Sequence, residues 1–168
     1  MKELGIEEAL SFYTKPENVV FVISGTFEVP NIMPAGWSMR TSFTPPLFAI
    51  SIGLERYTHD LITRYKEFVV SFPSERNERL ILKTGNCSGR NLNKFEKFKI
   101  RNIKRAEKVN LPLLIDSYLN LECVLESFLD TGDHTIFVGR VLKAWKGDGE
   151  RIVLNMGKME FKTFKANL

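Results

Sequence analysis

Histidine and cysteine are scarce in this chain of 168 residues, which contains two of each. Cys87 and Cys123 lie far apart, and the sequence contains no CxxC, no HxxxH and no acidic triplet. Because zinc sites need closely spaced Cys, His or carboxylate ligands, we expect no metal site. A GxSxG nucleophile elbow is also absent. A nucleophilic pair of Cys87 with His59 or His134 is allowed by the composition, but any small chain offers such a pair by chance.

Long apolar runs are also absent, and none approaches the length of a membrane-spanning helix. Residues 1–18 carry four glutamates and no long apolar core, which is atypical of a secretory signal. We therefore expect a cytoplasmic protein with reduced thiols and no membrane association. With 43% apolar and 26% charged residues, the composition is that of a soluble domain, and the length favours a single domain over residues 1–168.

The net charge of +4 permits nucleic-acid binding but does not demand it, since many basic proteins bind only small anions. We expect no nucleic-acid partner. Thirteen phenylalanines are many for this length, and they indicate either a dense core or an apolar partner surface. Because large bare apolar patches are rare on monomers, self-association as a homodimer is expected.

Apolar periodicity predicts a mainly β chain. Continuous apolar runs at residues 19–25, 47–53 and 67–73 predict buried strands. The stretches "YLNLECVLESFLD" and "HTIFVGRVLKAW" flank the turn "TGD" and predict a hairpin. The sequence after them predicts one short strand, near residues 152–154 or 159–161. About six strands with short helices between them favour an antiparallel barrel of the α+β class rather than βαβ repeats.

Turn residues and capping residues predict where the helices and loops lie. A short helix is predicted at residues 5–13, a second after Thr58 as its N-cap, and a third from Ser74 to Gly85. The segment "VPNIMPAGWS" contains two prolines and a glycine, which predict a loop. The lysine-rich residues 91–110 are expected to form a solvated loop or helix face.

Two places suit an anion. Arg56 and Thr58 stand where a strand gives way to a helix, whose N-terminus offers free N–H donors. An arginine fork and a hydroxyl would add to these donors. The alternative is that Thr58 only caps the helix while Arg56 is solvated. In "NCSGR", Ser88, Arg90 and the N–H groups around Gly89 could form a second anion-binding nest.

The order of the segments resembles a known family. "NIMPAGWS", "TPPLFAISIGLERYTHDLI", "EFVVSFPS", "GNCSGRNLNKF" and "LECVLES" with "GDHTIFVGRV" are similar to the flavin reductase-like, FMN-binding split-barrel family, over residues 31–145. The resemblance implies a six-stranded antiparallel split β-barrel of Greek-key type with short inserted helices. It also implies FMN as cofactor, NADH or NADPH as substrate, and a homodimer.

The resemblance assigns three groups of residues to FMN. The phosphate and ribityl chain would be met by Ser51, Ile52, Gly53, Arg56 and Thr58. The isoalloxazine ring would be lined by Asn31, Met33, Pro34, Ala35, Gly36, Trp37 and Ser38. A third segment would approach from another side with Cys87, Ser88, Gly89 and Arg90. Pro34 departs from the family, where threonine is common; since proline supplies neither hydroxyl nor N–H, Ala35 and Gly36 could replace that contact.

The implied activity is an NAD(P)H-dependent flavin reductase, in which hydride passes from nicotinamide to flavin N5 and electrons go on to an unknown acceptor. His134, in the hairpin turn, is the candidate catalytic residue; it could hold nicotinamide or donate a proton, or it could only hydrogen-bond its own hairpin. One alternative is a flavoredoxin-like electron-transfer flavoprotein whose tightly bound FMN is reduced by a partner protein. Another is a binding module on the same barrel that takes no flavin.

Overall fold

The computed structural model describes residues 1–13 and 15–165, apart from the side chains of residues 11–13. The helices are α1 (Ile6–Tyr13), α2 (Tyr57–Tyr65), α3 (Glu78–Gly85) and the single turn α4 (Lys94–Lys97). The strands are β1 (Glu17–Asn18), β2 (Val20–Gly25), β3 (Pro30–Ala35), β4 (Ser38–Ser42), β5 (Leu47–Gly53), β6 (Glu67–Phe72), β7 (Ile103–Arg105), β8 (Pro112–Leu114), β9 (Leu119–Thr131), β10 (His134–Lys146), β11 (Arg151–Gly157) and β12 (Glu160–Lys165).

Seven antiparallel strands form the principal sheet, in the order β3-β2-β6-β9-β10-β5-β4. Strand β2 is buried along its whole length because it contributes to two cores. Val20 and Val22 pack in one core with residues of β5, β6 and β10. Phe21 and Ile23 pack in the other, against α3, α4 and the β7–β8 hairpin. A strand covered on both faces reads as a continuous apolar run.

The predicted fold class, mainly antiparallel β with short inserted helices, is confirmed, but six strands is too few. The predicted loop at residues 29–38 is wrong, because Pro30–Ala35 pairs with β2 in the register Val20↔Ala35. Pro30 and Pro34 are tolerated there since β3 is an edge strand, where one side needs no N–H donors. Strands β7 and β8 form a hairpin within and just after the segment expected to be solvated, and β11 and β12 pair where one short strand was expected.

Two predicted helix starts are also wrong. Helix α2 is capped by Arg56, not Thr58, and no side chain caps its first N–H groups. Thr58 is instead buried, and its hydroxyl accepts a hydrogen bond from Asn31. Helix α3 begins at Glu78 rather than just after Ser74, because Ser74 forms a β-bridge with Ile152. The predicted end of α3 at Gly85 is confirmed.

The β9–β10 hairpin is the longest in the fold, and its two strands have 13 residues each. Strand β6 pairs with β9 only from Leu119 to Val124. Among the described residues, the distal half of β9 (residues 125–131) therefore pairs with β10 alone. Phe128 and Leu129 on this distal half are exposed.

Candidate functional site

Two adjoining cavities open where β3, β5, α2 and the β9–β10 turn meet. The basic cavity, of about 330 Å³, takes in the predicted residues Asn31, Met33, Arg56, Thr58, Cys87, Ser88 and Gly89. The aromatic cavity, of about 290 Å³, takes in Met33, Pro34, Ala35, Gly36, Trp37, Ser51, Ile52, Gly53, Arg56 and His134. Met33, Arg56 and Gly85 line both cavities, so the two form one continuous cleft.

Lys94 lies in the wall of the basic cavity and was missed by sequence reasoning. Its side chain is buried, and Nζ donates to the carbonyl oxygens of Ile32 (2.9 Å) and Thr84 (2.7 Å). Burial lowers the pKa of this ammonium; electrostatic interaction with Cys87 partly opposes that shift, and the charge of Arg56 adds to it. Among the described residues no carboxylate forms a salt bridge with Lys94. The basic cavity therefore contains a positive charge that a bound anion would stabilise.

The one-turn helix α4 positions Lys94. Asn93 caps α4, and its Oδ1 accepts from the Glu96 backbone N–H at 3.2 Å. Lys94 and Phe95 point inward from this turn, while Lys97 is exposed. The charged stretch hides this residue, since six basic residues between residues 97 and 108 face solvent. The adjacent core residue Phe95 is the one local signal of burial.

Asn31 carries an unpaired acceptor into the same cavity. Its Nδ2 donates to Thr58 Oγ1 at 2.9 Å, whereas Oδ1 has no hydrogen-bond partner among the described residues although the side chain is buried. Gly89 packs directly on this oxygen, because a Cβ at residue 89 would lie 2.1 Å from it. A buried carbonyl without a donor is costly, so Oδ1 marks a place for a ligand hydroxyl or amide.

Arg56 stands at the junction of the two cavities. The backbone turns tightly from β5 into α2, with the Arg56 N–H donating to the Gly53 carbonyl at 3.0 Å. The Arg56 side chain is 58% exposed, and its Nε lies 2.9 Å from Glu55 Oε1. It can therefore rotate towards a ligand without the desolvation cost that a buried arginine would carry.

Trp37 and His134 form the outer wall of the aromatic cavity. Their rings are 4.7 Å apart, and the pairing of β10 with β5 places His134 opposite Gly53. His134 Nδ1 lies 2.7 Å from Asp133 Oδ1. That hydrogen bond and the histidine charge lower the pKa of Asp133. The carboxylate fixes the ring orientation and leaves Nε2 for another partner.

A second residue that sequence reasoning missed is Glu17, from the short strand β1. Its carboxylate lies over the backbone of Gly36, where a Cβ would be 2.6 Å from Oε1. It accepts hydrogen bonds from Lys15 Nζ and from Asn155 Nδ2, the latter at 2.8 Å. Nothing in the sequence around residue 17 signals this position, because it depends on the pairing of β1 with β11.

Two predicted site residues are not brought into either cavity. Ser38 lies in a separate apolar cavity with Met39 and Ile136. Arg90 turns away, with Nη2 2.6 Å from Asp60 Oδ2, and lines a further cavity beside the basic one. The segment 87–90 is thus divided between two cavities, because residues 88–91 form a turn in which the Asn91 N–H donates to the Ser88 carbonyl oxygen at 3.3 Å.

The described part of the chain contains no group of three or more His, Cys, Asp or Glu side chains arranged to hold a metal ion. In that same part, no helix has the length and apolar character needed to cross a membrane.

The fold and cleft define an antiparallel β-barrel protein with a site for an anionic, partly aromatic ligand, and comparison with known proteins specifies the class. Residues 12–163 match the flavin reductase like domain, and the chain belongs to this family. An uncharacterized protein of Archaeoglobus fulgidus is 39% identical over 136 residues, which is 81% of this chain and 76% of the relative. The NADH-dependent FAD reductase of Streptomyces globisporus is 29% identical over 77% of this chain and 69% of its own length. A solved FMN-binding protein of Thermus thermophilus superposes with a TM-score of 0.83 at 27% identity, covering 97% of this chain and 94% of that structure.

Proposed function

We propose that this protein binds FMN across the basic and aromatic cavities and acts as an NAD(P)H-dependent flavin reductase. The observation that carries the proposal is the buried Lys94 ammonium, which has no carboxylate partner among the described residues and adjoins a cavity walled by aromatic rings. A flavin mononucleotide has the matching parts, because a phosphate dianion and a flat ring system stand at its two ends.

The residues present fit FMN. Lys94, Arg56, Ser88 and the N-terminal N–H groups of α2 would hold the phosphate. The orphaned Asn31 Oδ1 would accept from a ribityl hydroxyl. Backbone groups of β5 and of residues 33–37 would line the ring, and Trp37 would cover it. Gly36 and Gly53 suit this wall since a side chain at either position would meet a carboxylate, of Glu17 or Glu55.

When bound, flavin would supply the redox chemistry, accepting hydride from a nicotinamide and passing electrons to an acceptor. The protein's part is to bind and orient. Trp37 and His134 stand at the outer side of the aromatic cavity, where a nicotinamide would enter. His134, oriented by Asp133, would hold the nicotinamide or hold a proton at Nε2.

The relatives support this proposal. The Streptomyces globisporus relative is named an NADH-dependent FAD reductase, and the Thermus thermophilus structure is an FMN-binding protein. The alternative, a flavoredoxin-like carrier whose tightly bound FMN is reduced by a partner protein, uses the same cleft and differs only in the electron donor.

We also propose a homodimer. Trp37 and Met39 are exposed, and they border the apolar cavity that contains Ile136. Exposed aromatic and aliphatic side chains around a concave apolar surface are typical of an interface between subunits. The surface lies beside the aromatic cavity and shares Trp37 with it.

The test is the visible absorption spectrum of the purified protein after addition of FMN, recorded with and without NADH or NADPH in the absence of oxygen. A bound flavin spectrum that either nicotinamide bleaches is the expected result. Flavin that binds but is bleached only by dithionite would make the protein a carrier. A protein that takes up no FMN would overturn the proposal.

A further inference from the structure

A carboxylate from outside the principal sheet stands in the wall of the aromatic cavity. Glu17 belongs to β1, which pairs with β11 in a three-stranded sheet separate from the principal one. Its side chain is only 14% exposed, and it lines the aromatic cavity together with Gly36 and Trp37. A carboxylate in such a position is costly unless hydrogen-bond donors surround it. Glu17 therefore needs donors from the cavity wall or from a ligand.

The donors that the protein supplies use one oxygen of this carboxylate. Lys15 Nζ and Asn155 Nδ2 both donate to Glu17 Oε1, the latter at 2.8 Å. Oε2 accepts no hydrogen bond from any described residue. Because an ionised carboxylate has about four acceptor sites on its two oxygens, Oε2 is available to a donor on a ligand.

The carboxylate is held against the backbone that would line the flavin ring. A Cβ at residue 36 would lie 2.6 Å from Glu17 Oε1 and 3.0 Å from Oε2, so both oxygens rest on Gly36. Glu17 and Asn155 are directly opposite each other in the pairing of β1 with β11, which puts their side chains on the same face. Their hydrogen bond restrains the carboxylate, so its position is set before a ligand binds.

The flavin ring system has a matching donor. In the oxidised state its only N–H group is at N3 of the pyrimidine ring, whereas N1, N5, O2 and O4 are acceptors. A hydrogen bond from this N–H to a carboxylate is stronger than one to a neutral acceptor. Reduction adds two electrons and one proton to the ring and leaves a negative charge on it. A carboxylate at the same edge repels that charge and disfavours the reduced form.

We propose that Glu17 Oε2 accepts a hydrogen bond from flavin N3–H, and that the charge of Glu17 lowers the reduction potential of the bound flavin. This inference rests on the proposed function, because it places the flavin ring in the aromatic cavity. Glu17 is then a ring-recognising residue contributed by the small sheet, and Asn155 is the positioning residue that holds it.

The first test compares FMN with 3-methyl-FMN, which has a methyl group in place of the N3 hydrogen. Dissociation constants are measured by quenching of flavin fluorescence. We expect the wild-type protein to bind the methylated flavin about 10-fold more weakly, as for the loss of a hydrogen bond to a charged group. In Glu17→Ala the two flavins should bind within about twofold of each other. Glu160→Ala, at an exposed glutamate on β12 of the same small sheet, is the matched control and should keep the wild-type preference.

Glu17→Gln tests the charge in a side chain of the same size. Its amide oxygen would stay with Lys15 and Asn155, so its NH₂ group would face N3–H and the preference for FMN should again be lost. The variant also removes a negative charge and leaves Lys15 unpaired, and both changes favour the reduced ring. We expect the midpoint potential of bound FMN to rise by about 30 mV, which is a tenfold shift towards the reduced form. Equilibration with a reference dye in the absence of oxygen provides the potential.

The outcomes separate this inference from the proposed function. Equal affinities of the wild-type protein for the two flavins overturn the role of Glu17 alone. So does a preference for FMN that persists in Glu17→Ala, which would make Glu17 a structural residue, and so does an unchanged potential in Glu17→Gln. A wild-type protein that binds neither flavin overturns both proposals.

Discussion

Lys94 Nζ donates a hydrogen bond to the carbonyl oxygen of Ile32, 2.9 Å away and 62 residues earlier in the chain. The contact joins the one-turn helix α4 to the edge strand β3, which also carries Asn31. The charge of Lys94 and the unpaired Oδ1 of Asn31 thus reach the basic cavity from two elements, α4 and β3, that are joined by this hydrogen bond.

Replacement of Lys94 should identify the phosphate contact. We expect Lys94→Met to weaken FMN binding by about 10- to 100-fold, since hydrogen bonds to charged groups contribute about 1.5–3 kcal/mol. The affinity for riboflavin, which has no phosphate, should fall much less. The measurement is titration with both ligands, and Lys97→Met on the same turn is the control. Equal losses for the two ligands would show that Lys94 only supports the fold.

The lowered pKa of Lys94 predicts a pH dependence. In the ligand-free protein the charged form is disfavoured by burial, so stability should rise as pH increases from the folded-state pKa towards the ordinary value of 10.5. Phosphate binding has the opposite preference, because it favours the ammonium. FMN affinity should therefore fall across this alkaline window, relative to riboflavin, and Lys94→Met should abolish the difference. A parallel fall for both ligands in the wild-type protein would contradict the assignment.

The two cysteines should differ in reactivity. Cys87 lines the basic cavity and is partly exposed, whereas Cys123 is buried and burial raises its pKa to about 12. Because the thiolate is the reactive form, N-ethylmaleimide should modify one thiol per folded chain. Mass spectrometry should place it at Cys87, and saturating FMN should protect it. Cys87→Ser should be unreactive until unfolded; labelling unaffected by FMN would argue against flavin beside Cys87.

His134 is predicted to act on the nicotinamide rather than on flavin binding. We expect His134→Ala to slow reduction of bound FMN by NADH by about 10-fold or more, as for loss of a positioned proton-transfer or hydrogen-bonding group, while the FMN dissociation constant changes little. Rapid-mixing absorbance measurements without oxygen provide the rate. An unchanged rate would leave His134 with only its hydrogen bond to Asp133.

The proposed dimer predicts the effect of a charge at Met39, which is exposed on β4. Met39→Glu should shift the molecular mass in solution from dimer to monomer, because an uncompensated carboxylate in an apolar interface is costly. Sedimentation equilibrium provides the mass, and the control is Met159→Glu, at a more exposed methionine in the β11–β12 turn. A wild-type monomer would disprove the dimer itself.

Sequence patterns predicted the elements whose signals are local. Strand β2 was predictable because burial on both faces makes its apolar run continuous. Strand β3 was not predictable, because prolines within a segment usually indicate a loop. A strand can contain them only at the edge of a sheet, and the sequence does not show that β3 has that position. A threonine just before a helical pattern predicts an N-cap, but the hydroxyl of Thr58 accepts from Asn31, which lies 27 residues away in the sequence.

In the candidate site, too, residues with local sequence signals were predictable and residues placed by distant partners were not. The resemblance named the segments that line both cavities, and one of them, "GNCSGRNLNKF", contains Lys94. It gave Lys94 no role, and it did not reach Glu17, because the roles of both residues depend on long-range partners. Lys94 is held by carbonyls of β3 and α3, and Glu17 by a strand pairing with β11. Apart from the adjacent core residue Phe95, no local pattern distinguishes Lys94 from its solvated neighbours in the charged stretch.

The distal half of β9 has a consequence for the behaviour of the protein at high concentration. Its outer edge presents backbone donors and acceptors beside the exposed Phe128 and Leu129. Such an edge is a template for pairing with strands of other molecules. Glu126 and Asp130 flank the two apolar residues, and their charges act as gatekeepers against aggregation. Neutralising both carboxylates should therefore let this edge nucleate intermolecular sheets.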